Sequence, residues 1–213
     1  HLPLSEQLDL GLRQLEIDVY HDPDGGKYAN PIGLRMLQAS DWDAGPDYDL
    51  EGHMQAPGFK VLHVQDIDFR SNCLTLTRAL AELVAWSGQN DGHLPVAITM
   101  NANDAIIDLA GSVEPLPFDA AAFDALDAEI RAGMPRDMLI TPDDVRGKSA
   151  TLEAAVLADG WPTLADSRGK FLFVLDEGGS KRQAYMDGHP SLAGRALFAN
   201  AEPGTPEAAV LIM

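Results

Sequence analysis

The chain has 213 residues, 46% of them hydrophobic, and sets 33 acidic residues against 15 Lys and Arg for a formal charge of −18. This length and apolar fraction suit one substantial core, in a single α/β domain covering residues 1–213. The negative field repels phosphate backbones and anionic membrane surfaces, which argues against nucleic acid as a partner and leaves at most transient membrane-surface contact, and it attracts divalent cations. Most of the charge reads simply as a solvated surface. No run approaches the ~18 apolar residues of a membrane span. Cys73 is the single cysteine, cannot form an internal disulfide, and reads as a small packed residue. The sequence opens on His1 without an initiator Met or a signal-peptide pattern, so it reads as a mature form or an internal piece.

In chain order, short β-branched runs alternate with segments of helical period, the pattern of βα units around a parallel sheet. Strands are predicted over Gln14 to Tyr20, Lys60 to Gln65, Pro95 to Asn101, Lys170 to Asp176, Arg195 to Ala201 and Ala208 to Met213, with a short seventh in "DMLIT". The tract from Asp41 to Gly58 is rich in Gly, Pro and Asp and reads as a long excursion, of the kind that carries function or moves. In "TLTRALAELVAWS", Leu76, Leu80, Leu83 and Val84 share a helical face. Ala122, Phe123, Leu126 and Ile130 recur likewise behind a cap at Asp119. Thr141-Pro142-Asp143-Asp144 and Thr205-Pro206-Glu207 each carry the start signal of a helix, a hydroxyl before Pro and then acids. With no GxGxxG after the first strand, the alternation favours a (βα) barrel over a dinucleotide-binding sheet. Against the ~250 residues of a full eight-stranded barrel, the chain is short by a strand or two.

Strand alternation puts Glu16, Asp18 and Tyr20 on one face and Leu15, Ile17 and Val19 on the other. The apolar side packs under helices, and the two carboxylates point into the barrel. Like charges there are costly unless a cation or a proton compensates them. His63, at the end of "KVLHV", shares a face with Val61 and Gln65, while Asn101 shares one with Thr99 and Asn103. Two carboxylates and an amide oxygen form a hard, oxygen-only donor set that suits Ca²⁺ or Mg²⁺ better than zinc, at the strand ends where barrel sites lie. Taken singly, each piece has a bland reading: a salt-bridged strand pair, a core histidine, a strand-end cap. His21, His53, His93 and His189 sit in turn-rich segments and read as solvated. Asp66 and Asp68 read as partners of Arg70 or caps of the following helix. Lys170, Lys181, Arg182 and Arg195 are scattered and read as surface charges.

Five stretches, "EQLDLGLRQLEIDVYHDPDGGKYANP", "GFKVLHVQDIDFRSNCLTL", "RDMLITPDDVRG", "GWPTLADSRGKFLFVLDE" and "GTPEAAVLIM", resemble the bacterial calcium-dependent phosphoinositide-specific phospholipase C family over nearly the whole chain. The resemblance implies a TIM-type (βα) barrel and cleavage of a phospholipid or inositol phosphodiester by attack of the inositol 2-hydroxyl on phosphorus. It implies Ca²⁺ held by Glu16 and Asp18, with Glu16 also available as base, and Asn101 where relatives commonly carry an acidic ligand. His63 becomes the histidine that stabilises the phosphoryl group or protonates the leaving oxygen. A secreted or periplasmic location follows from the resemblance alone. The family pattern also includes a first strand with a His-Asn pair and a last barrel strand that these residues do not supply, so the chain reads as an incomplete barrel with little activity by itself. Two other readings compete: a glycerophosphodiester phosphodiesterase, and a barrel that binds calcium without turnover.

Overall fold

The structure, a computed structural model, describes residues 2–40, 42–43 and 45–212. The predicted positions His1, Asp41 and Met213 lie outside the described residues. The elements run α1 (Leu4–Asp9), β1 (Gln14–Asp22), α2 (Ile32–Gln38), β2 (Gly58–Val61), α3 (Leu76–Gln89), β3 (Val96–Ala102) and α4 (Ala120–Gly133). They continue with α5 (Pro142–Arg146), α6 (Leu152–Ala158), α7 (Leu164–Ser167), β4 (Phe171–Leu175), α8 (Gly179–Met186) and β5 (Leu197–Ala199). The α/β class is as expected. The sheet has five strands in the order β2-β1-β3-β4-β5, and among the described residues it is open at both edges.

β1, β3, β4 and β5 run parallel, joined by helical crossovers. β2 departs from the expected pattern: it is antiparallel to β1, pairing Val19 with Val61 and Asp22 with Gly58. It also ends at Val61, four residues short of the predicted Gln65. The chain returns from the excursion against β1 itself, and a return of this kind forms a hairpin-type ladder without a crossover.

The apolar face of β1 meets the helices as the alternation requires. Leu15, Ile17 and Val19 are buried with Ile98, Met100, Phe173 and Leu175 in the main core. α3 begins behind Thr75, whose side chain accepts from the Arg78 amide, and buries Leu76, Ala79, Leu80, Leu83 and Trp86. α4 begins behind Asp119, which accepts from the Ala122 amide, and buries Ala122, Phe123, Leu126 and Ile130. At Gly133 the two helices come so close that a Cβ would lie 2.6 Å from Leu80 Cδ1. A smaller cluster of Tyr20, Tyr28, Met54, Leu62, Phe69 and Leu74 sits under the excursion and fixes it to the sheet.

Four other expectations change. Thr141 begins α5 as predicted, its amide and hydroxyl both reaching Asp144 Oδ2 at 2.8 Å. Thr205 does not begin a helix, because its hydroxyl donates to the Glu202 carbonyl at 2.9 Å and closes a turn. "DMLIT" and Ala208 to Met213 each make one parallel bridge, Leu139 with Phe171 and Asn200 with Val210, and no strand. Arg195 is not a surface charge. It is 2% exposed, donates to Asp124 at 2.6 Å and Asp127 at 3.1 Å, and lies 4.5 Å over the Tyr185 ring, tying α4 and α8 to the start of β5. Cys73 is buried as expected, and its thiol also donates to Glu82 at 2.9 Å; burial pushes it up to about 12.

The hairpin bearing the excursion rests on one buried ion pair. Lys60 on β2 is fully buried and lies 3.2 Å from Asp22, itself 1% exposed, while its ammonium also donates to the Ala56 carbonyl. Removing one member strands the other charge in the core. Lys60→Met is expected to cost about 3–5 kcal/mol in chemical unfolding. Pairing it with Asp22→Leu removes the stranded carboxylate and is expected to recover most of that loss.

Candidate active site

Glu16 and Asp18 project from the face of β1 opposite the core, Glu16 exposed and Asp18 half-buried. Parallel register with β3 sets Glu16 beside Thr99 and Asp18 beside Asn101. The joint field of the two carboxylates reaches His63, whose charged form it favours. Both line a cleft of about 400 Å³, together with His63, Asp68, Arg70 and Asn72. The sequence thus brings Glu16, Asp18 and His63 to one place.

Asn101 takes a different position from the one expected of a ligand. Its amide nitrogen donates to Asp18 Oδ1 at 2.9 Å, and it is not among the residues that line the cleft. An amide beside a carboxylate turns its N–H toward it, because two acceptors face to face repel. Asn101 therefore holds Asp18 from behind.

His63 does not stand on a strand. It lies two residues past β2, on a turn closed by a bridge between Val64 and Asp68. Its backbone carbonyl accepts from Tyr20 Oη at 3.4 Å and from Asn103 Nδ2 at 3.5 Å, and the Tyr20 hydroxyl donates to Gln65 Oε1 at 2.7 Å. Tyr20 lies on the same face of β1 as Glu16 and Asp18, so one strand places the carboxylates and ties down the turn carrying the histidine. His63 Nδ1 meets Asp68 Oδ2 at 2.9 Å. That bond, with the fields of Asp18 and Glu16 adding to it, holds the imidazolium above the ordinary histidine value. With Nδ1 engaged by Asp68, Nε2 is the nitrogen left to act on a ligand.

Three contributors escaped the sequence reading: Asp68 as the partner of His63, and Tyr20 and Gln65 as anchors of its turn. The i, i+5 spacing of His63 and Asp68 is a usable signal only when the segment is read as a turn and not as a strand. Of the histidines expected to be solvated, His93 is buried against Ser87 Oγ at 2.9 Å and the Leu94 carbonyl at 2.7 Å. His21 is half-buried, stacked on Phe59 at 5.0 Å, and burial lowers its value. His53 contacts Glu51 at 2.6 Å and Arg78 at 2.8 Å.

The donor types at β1 fit a hard cation: two carboxylates opening on a cleft lined by both polar and apolar residues. They are not a full shell, since among the described residues no group of three or more His, Cys, Asp or Glu converges as a metal would need. Against known proteins, the family model for phosphoinositide phospholipase C, Ca²⁺-dependent, matches residues 1–213. The chain belongs to that family. Among solved structures it is similar to a Ca²⁺-dependent phosphatidylinositol-specific phospholipase C from Streptomyces antibioticus at 22% identity, with a TM-score of 0.55 over 95% of this chain and 62% of that one. A calcium-dependent phosphoinositol-specific phospholipase C from a Gram-negative Pseudomonas sp. is similar at 20% identity, with a TM-score of 0.59 over 92% of this chain and 58% of that one. A myo-inositol complex of that Pseudomonas enzyme matches equally well. No curated protein sequence matches. The chain therefore spans about three-fifths of the length of these relatives, 62% and 58%.

The His63–Asp68 pair has a pH signature. Because the folded value is raised, the stability the pair contributes is complete below the ordinary histidine value and is lost as pH rises through the raised one. Asp68→Asn removes the first cause of the shift. In an NMR titration the His63 midpoint is expected to fall toward the ordinary value in this variant, and a midpoint that stays put would show that Asp68 does not govern the imidazole.

Proposed function

We propose that the full-length protein is a calcium-dependent phosphodiesterase acting on a phosphoinositide-type phosphodiester, with its chemistry in the cleft of Glu16, Asp18 and His63. The observation that carries this reading is the convergence of those three side chains in one cleft, in a chain of this family. The competing glycerophosphodiesterase reading lacks comparable support, because the family match names the other class over residues 1–213.

Glu16 and Asp18 are the residues that would hold Ca²⁺, and Asn101 orients Asp18 through its amide. When bound, the ion supplies positive charge that acidifies a substrate hydroxyl and offsets charge on the phosphoryl group. The neighbouring substrate hydroxyl attacks phosphorus and Glu16 takes its proton. The new P–O bond forms as the bond to the leaving oxygen breaks, and His63 Nε2 gives its proton to that oxygen. Asp68 fixes the imidazole by Nδ1 and favours its protonated form, the state a proton donor needs. The acidic surface suits a substrate that approaches through a bound cation.

Two measurements test this. In the full-length protein, calcium-dependent release of inositol phosphate from phosphatidylinositol is expected to fall by roughly 10²–10⁴ in His63→Ala, the range for loss of a general acid. Calcium binding without release in the wild type would support the non-catalytic alternative. Asn101→Asp sets a third carboxylate against Asp18, which destabilises the calcium-free protein by a like-charge repulsion that a bound cation would relieve. Calorimetry is expected to show tighter Ca²⁺ binding in Asn101→Asp and to lose the binding in Asp18→Asn.

A further inference from the structure

His63 and Asp68 are largely exposed, with side chains at 66% and 48%. An exposed pair of this kind is too weak to fix the backbone that carries it. What holds the turn lies underneath. Asp66, between them in sequence, is 2% exposed and sits at φ +67°, a left-handed conformation that non-glycine residues seldom adopt. Each oxygen of its carboxylate takes a backbone N–H from a different segment: Oδ1 from Ile32 at 2.7 Å, Oδ2 from Val113 at 2.5 Å. Its carbonyl accepts from Gly33 at 2.7 Å, and Gly33 is needed there because a Cβ would stand 2.6 Å from that oxygen. Gln65 adds a bond to the Ala105 carbonyl at 2.7 Å. The turn is thus clamped to the start of α2 and to both ends of the 105–113 segment after β3.

We propose that Asp66 is a positioning residue for His63, its buried carboxylate holding the left-handed bend that sets Asp68 opposite Val64 and so brings Asp68 Oδ2 onto His63 Nδ1. This rests on the reading of His63 as the proton donor. The left-handed bend at Asp66 closes the ladder in which Asp68 N donates to the Val64 carbonyl at 2.9 Å. Charge-assisted bonds from two N–H groups compensate for the unfavourable φ. Neither α2 nor the 105–113 segment contributes a group to the cleft, so Asp66 touches no substrate and acts only through its neighbours.

The test is Asp66→Asn in the full-length protein. Asn tolerates the left-handed region but presents N–H to one of the two amides where the carboxylate presented oxygen. Two quantities are read: the NMR titration midpoint of His63, assigned with His63→Gln, and kcat and KM separately. The midpoint is expected to drop to that of Asp68→Asn, and kcat to fall roughly ten- to a hundred-fold with KM little changed. If Asp66→Asn does not fold, Asp66→Gly removes the carboxylate while suiting the positive φ, and the same readouts apply. A lower melting temperature with midpoint and kcat both unchanged would overturn the proposal. Wild-type protein without turnover would sink the proposed function alone, and the midpoint would then decide for Asp66.

Discussion

Two carboxylates one residue apart on an open strand face are the constraint the rest of the site answers. Glu16 and Asp18 cannot turn inward, because the other face of β1 is committed to the core through Leu15, Ile17 and Val19. They cannot slip in register without moving that apolar set to the wrong side. The sheet therefore forces the repulsion. A hard dication is the form of compensation that fits carboxylate oxygen donors.

Around that fixed point the fold works as a set of anchors. β3 presents Asn101 to Asp18 through the parallel register, and Tyr20, two residues beyond Asp18, binds the turn that bears His63. The catalytic candidates thus come from one strand and one turn, tied together by a tyrosine on the same strand face. The Lys60–Asp22 pair fixes the hairpin behind them, and the cluster around Met54 and Phe69 packs the excursion over it. Rigidity at the base leaves His63 and Asp68 exposed to a ligand while their backbone stays in place.

The legible parts of this architecture are those with short-range causes. Period-two alternation gave β1, β3 and β4 to within a residue or two, and helical period with a capping hydroxyl or carboxylate placed α3, α4 and α5. The pair on β1 was readable for the same reason, since alternation alone puts Glu16 and Asp18 on one face. What stayed hidden depends on partners distant in sequence. Arg195 meets Asp124 and Asp127 from α4, some seventy residues away, and its burial leaves no local trace. β2 reads as an ordinary apolar strand, yet pairing with β1 makes it antiparallel and cuts it off at Val61, which turns "HVQDID" into the turn that carries His63. The same "VQDID" acids looked like helix caps or arginine partners, but the left-handed bend at Asp66 sends one to the amides of Ile32 and Val113 and the other to the histidine. Thr205-Pro206 shows the converse, a strong start signal spent on a turn because its hydroxyl found a nearer carbonyl.

The most direct test of the central claim is a crystal structure of the full-length protein grown with calcium. The account predicts one ion within coordination distance of carboxylate oxygens from both Glu16 and Asp18, with His63 Nε2 facing the same cleft. An ion bound elsewhere, or the two carboxylates clasped by a lysine or arginine in place of any metal, would contradict it.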